Sequence, residues 1–152
     1  MRITYLFAAT LALAVMAAPM SAQSRHERKM AQIEESAKPK NVPGGIKFQV
    51  SKSYQDTYES ALNWIKKADY TIELADKETG QIATAMTITG GYRQTGTRLI
   101  LTLIKESDSV TTVKVAVTQQ KRSKLLQAEP WGDPKVNDDE SQKIVDQLKA
   151  VI

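Results

Sequence analysis

The chain has 152 residues, 41% of them hydrophobic, and no cysteine, so it has enough length for one core but no disulfide or thiolate–metal framework to support it. Its formal charge of +4 invites a nucleic-acid reading, yet from Ile46 to Ile152 there are 15 basic and 14 acidic side chains, whereas nucleic-acid binders gather basic charge on one face. The one local cluster, Lys121, Arg122 and Lys124, has the ordinary explanation of a solvated strand end.

Residues 1–22 have the parts of a cleavable signal peptide. Arg2 supplies a short basic start, Ile3 to Ala18 carry no charge, and Ala22 precedes the polar boundary at Gln23. The uncharged run of 16 residues is shorter than the roughly 20 needed to span hydrocarbon. With no cysteine for a lipid anchor, the expected product is released into the periplasm or secreted, with no stable membrane insertion. Residues 23–45 then read as a flexible polar tether. Arg25 to Ser36 has the makings of a short helix, with only Met30 and Ile33 to anchor it, and Lys38-Pro39 to Pro43-Gly44-Gly45 resists regular structure.

From residue 46 a single domain is expected, running to 152. Ile46, Phe48 and Val50 alternate with polar residues, the period of a half-buried strand. Ser53 and Asp56 have capping-box spacing, and Tyr54, Tyr58, Ala61, Leu62, Ile65 and Ala68 form one helical stripe, with Trp64 on its flank. Tyr70, Ile72 and Leu74 alternate in a second strand, and the Asp76–Gly80 turn leads to a threonine-rich third strand over 81–89. Gly90-Gly91 opens a loop through Gly96 that carries Tyr92 and Arg93. A fourth strand covers Arg98 to Glu106, and a fifth places Thr111, Val113, Val115 and Val117 on one face. Lys121 to Lys135 is read as a loop around Trp131. Asn137 with Glu140 then caps a last helix whose apolar face is Ile144, Val145, Leu148, Val151 and Ile152. The predicted fold is α+β, in the order β-α-β-β-β-β-α: one antiparallel sheet of about five strands with two amphipathic helices on one face, in two layers.

The residues offer no catalytic constellation. The only histidine, His26, falls in the tether, so no histidine-based relay assembles inside the domain. The usual nitrogen–sulfur zinc sites are excluded for want of cysteine. Asp133, Asn137, Asp138, Asp139 and Glu140 lack calcium-loop spacing and suit a helix start, which favours negative charge. No metal, no cofactor and no enzymatic activity are therefore expected. Tyr92 and Arg93, on a glycine-flanked loop where packing has no evident need of them, are the candidate partner-binding residues together with Trp131.

From Tyr54 to Gly80 the chain runs through a helix containing Ala61 and Trp64, then Tyr70-Thr71-Ile72, then acidic residues and Gly80-Gln81-Ile82. This resembles the small envelope domains of the outer-membrane assembly lipoprotein C type, whose helix-grip modules set a sheet against helices. The resemblance covers most of residues 46–152 in element order. It departs at the lipidated cysteine, which this chain lacks, so neither anchoring nor any functional residue carries over. What it implies is a non-enzymatic envelope module whose partner is another envelope protein. The alternative is a carrier holding a small apolar ligand between the sheet and the C-terminal helix.

Overall fold

The computed structural model describes residues 25–40, 42–124 and 129–152. The signal-peptide reading of residues 1–22 lies outside these residues, as does part of the loop read around Trp131. Among the described residues no helix is long and apolar enough to cross a membrane.

The elements are α1 (Arg25–Ala37), β1 (Ile46–Val50), α2 (Tyr54–Lys67), β2 (Ile72–Asp76), β3 (Gln81–Thr84), β4 (Thr87–Thr89), β5 (Arg93–Lys105), β6 (Thr111–Ser123), β7 (Lys135–Val136) and α3 (Asp138–Lys149). The fold is α+β, with one antiparallel sheet; seven strands are found among the described residues where about five are expected. The order is β1-β6-β5-β3-β2, with β4 added to β5 and β7 to β6. Two differences account for the extra strands. The third predicted strand breaks at Ala85-Met86, where two residues stand opposite Arg98 alone, so β3 and β4 pair separately with β5. Lys135, read as the end of a loop, and Val136 after it pair with Gln119 and Thr118.

The β5–β6 hairpin is the spine. It keeps register from Arg93↔Ser123 to Lys105↔Thr111, so Arg93 to Gly96, expected in a loop, are strand. Side chains alternate across a strand, and Leu99, Leu101 and Leu103 meet Val113, Val115 and Val117 on the face that α2 and α3 cover. Both helices begin as their sequences dictate. The Ser53 hydroxyl accepts the Asp56 N–H at 3.1 Å and donates to the Asp56 carboxylate at 2.7 Å, and Asn137 Oδ1 accepts the Glu140 N–H at 3.1 Å. Tyr58, Ala61 and Ile65 of α2 and Ile144, Val145 and Leu148 of α3 fill the core, whereas Val151 stays exposed. The stripe residue Ala68 is the exposed C-cap of α2.

The opposite face of the sheet is covered by the N-terminal segment. Where the sequence suggests a flexible tether, Ser36 is buried, its carbonyl accepts from Gln120 Nε2 at 3.2 Å, and the Val42 carbonyl accepts from Lys114 Nζ at 2.9 Å. Val42 packs with Ala83 and Ile100 in a second, smaller apolar cluster, joined by Leu74 and Val136.

Candidate functional site

The three residues singled out from sequence end in two different environments. Tyr92 lies in the turn between β4 and β5 and is 72% exposed, its carbonyl accepting the Lys124 N–H at 2.8 Å. Arg93 is exposed at the first position of β5. Ile88 of β4, in register with Gly96 on the same hairpin, is 48% exposed. β4 pairs only with β5, so its other edge has no strand partner among the described residues.

Trp131 belongs to the interior. It is 6% exposed, and its backbone N–H donates to Ser36 Oγ at 2.9 Å. The Arg122 guanidinium stacks on its ring at 4.2 Å while donating to Gln94 Oε1 at 2.8 Å. A side chain at position 96 would press on both Met86 and Trp131, so glycine there is what admits them to this face. The expectation that Trp131 takes part in a recognition surface is therefore corrected: it packs beneath the N-terminal segment. Arg122, taken from sequence as part of a solvated basic cluster, is half-buried in the same stack.

A second region falls where the carrier alternative places its ligand, between the sheet and the C-terminal helix, although none of its residues was singled out from sequence as a binding residue. Between the sheet and the start of α3 lies a cleft of about 280 Å³, lined by Tyr70, Thr84, Thr87, Thr97, Gln119 and Glu140 among others. Leu99, Val117 and Ile144 add apolar surface to it. Thr97 stands between Thr87 on one neighbouring strand and Gln119 on the other. The Thr84 hydroxyl accepts the Leu99 N–H at 3.1 Å, and Glu140 pairs with Lys143 at 2.7 Å. Thr87, Thr97 and Gln119 make no side-chain hydrogen bond to any described residue. At the level of residues the hint in sequence is the threonine content of residues 81–89; Gln119 carries no signal, because its value depends on being opposite Thr97.

Arg98 stands behind the cleft. It is 4% exposed, with Nε donating to the Thr84 carbonyl at 2.9 Å and Nη2 to Glu73 at 2.5 Å. These bonds hold the break between β3 and β4, and so the threonines on either side of it. Tyr70 is held by the end of α2. Its N–H reaches the Ile65 carbonyl at 3.1 Å, the preceding Asp69 N–H reaches Lys66 at 3.2 Å, and its ring meets Trp64 at 6.0 Å. This is a Schellman closure with Asp69 in the left-handed position that glycine usually takes.

His26 is exposed on α1, and among the described residues no three of His, Cys, Asp and Glu converge as metal ligands. No protein-family model matches the chain, and no curated protein matches it.

Proposed function

We propose that this chain is an exported, non-enzymatic interaction module of the cell envelope that docks a partner protein at the β4–β5 end of its sheet. The observation that carries the reading is the edge of β4 that has no strand partner among the described residues, on a hairpin with exposed Ile88 and Tyr92. Such an edge offers N–H and C=O groups to a further strand, and exposed large apolar side chains on the same hairpin offer it contact. An extended partner segment would add a strand to β4 by main-chain hydrogen bonds, with Ile88 and Tyr92 giving side-chain contact. Arg93 adds a positive charge at the same end, and export follows from the reading of residues 1–22.

A photo-crosslinking side chain placed at Tyr92, with a second at Asp108 as control, tests this in intact cells. Asp108 is at the other end of the β5–β6 hairpin, in the turn between those strands. The expected result is a discrete protein adduct from position 92 that is absent from position 108 and is lost in Ile88→Lys. The reading falls if position 92 gives no adduct of its own.

The cleft between sheet and α3 favours a second reading, a small-ligand carrier. It lies where an apolar carrier site was expected, but its hydroxyl and carboxamide walls speak against an apolar occupant. Native mass spectrometry of gently purified protein checks this reading through the mass of any co-purifying molecule.

A further inference from the structure

We infer that the cleft between the sheet and α3 is a binding site for a single neutral polyhydroxylated ring, a pyranose sugar. The inference does not rest on protein docking at β4: the cleft is on the helix-covered face, and either reading can fail alone. Size comes first. Ligand pockets run from about 300 to 1,000 Å³, so a cleft of about 280 Å³ suits one ring rather than a chain.

Charge comes next. The two charged lining residues are already paired, Arg98 with Glu73 and Glu140 with Lys143. An ionic ligand therefore meets no unpaired countercharge. An apolar ligand would strip water from the side chains of Thr87, Thr97 and Gln119 and return no hydrogen bond. A polyol returns them: each threonine hydroxyl both donates and accepts, and the Gln119 carboxamide does so through separate atoms. Tyr70, 37% exposed and backed by Trp64, offers an aromatic wall for the C–H face of the ring, beside the apolar side chains of Leu99, Val117 and Ile144.

The test is an NMR titration of the ¹⁵N-labelled protein with glucose, N-acetylglucosamine and chitotriose, with laurate and inorganic phosphate as comparators. The expected result is saturable shift changes at the amides of Thr84, Thr97 and Gln119 with a sugar, below about 10 mM. Thr97→Val and Gln119→Ala should each weaken binding at least about tenfold, a difference of roughly 1.4 kcal/mol, with otherwise unchanged spectra, and Thr97→Ser should retain it. If Thr97→Val does not fold, Gln119→Ala alone decides. Tighter binding of the trimer supports a sugar at a chain end, and tighter binding of a monomer supports a free ring. The inference is overturned if no sugar saturates these amides, if laurate or phosphate moves them and sugars do not, or if folded variants bind as tightly as the parent.

Discussion

Gly80 carries φ +72°, and a Cβ there would sit 2.2 Å from the Leu103 carbonyl oxygen and 3.1 Å from the Tyr54 hydroxyl. The same glycine accepts the Leu103 N–H at 2.9 Å, so neither backbone can retreat without breaking the β3–β5 pairing. Gly80→Ala should therefore cost at least about 2 kcal/mol, from left-handed strain with a backbone clash added, read as a lower urea midpoint at unchanged slope. Asp69 presents the reverse case. It holds φ 61° at the end of α2, and in Asp69→Gly the Schellman bonds remain while the side-chain penalty goes. A gain of about 0.5 kcal/mol is expected by the same measurement. Arg98 differs from both, because its value lies in reach and shape: one planar fork serves the Thr84 carbonyl and Glu73 together. Lysine presents a single ammonium, so Arg98→Lys should cost about 2 kcal/mol. It should also broaden the amide signals of Thr84 and Thr87, whose separation this side chain maintains.

The β2–β3 turn shows how an element depends on one carboxylate. Asp76 Oδ1 accepts the N–H groups of Glu78 at 2.9 Å and Thr79 at 3.3 Å. Hydrogen bonds from Thr79, its side chain first and then its N–H, hold the Asp76 carboxyl below the ordinary value, and the Glu78 N–H adds to this. A depressed folded pKa stabilises the turn fully above the unfolded value of about 4, and that contribution fades as pH falls through the folded value. Asp76→Asn keeps an acceptor but not the charge. Its stability should thus fall less than the parent's between about pH 5 and pH 2 in urea titrations. This turn was plain in sequence, as were α2 and α3, because caps, turns and apolar stripes are local patterns. The far halves of β5 and β6 were not. Beyond Leu99 and Val117 the strands run past the main core, so apolar alternation stops at Gln94-Thr95-Gly96 although the backbone pairing continues to Arg93↔Ser123. The residues that line the cleft were hidden for a related reason: they are cross-strand neighbours, and register is not written in any one segment.

At the scale of the molecule, the sheet has two unlike faces, and only one was legible. The helix-covered face is built from side chains whose spacing announces it. The other is covered by residues 36–40 and 42–45, and much of that contact uses main chain: the carbonyls of Ser36 and Val42 receive Gln120 and Lys114, and Gly45 runs close against Val115 and Ala116. Backbone acceptors leave no trace in composition, so a segment rich in proline and glycine read as a tether. The consequence for stability divides within a few residues. α1 itself buries only Ser36, so deleting the chain through Glu35 removes little buried surface and should change stability by less than about 1 kcal/mol. Deleting through Gly45 also removes Ser36, which holds the Trp131 N–H, and Val42, which covers Ala83 and Ile100. Losing an apolar side chain of this size from a packed site and stranding buried donors together should cost about 3–5 kcal/mol. Tryptophan fluorescence should shift to longer wavelength as Trp131 gains access to water. Urea midpoints of the two deletions, set against the full chain, separate these expectations. Equal midpoints for both would mean that the segment lies on the sheet without stabilising it.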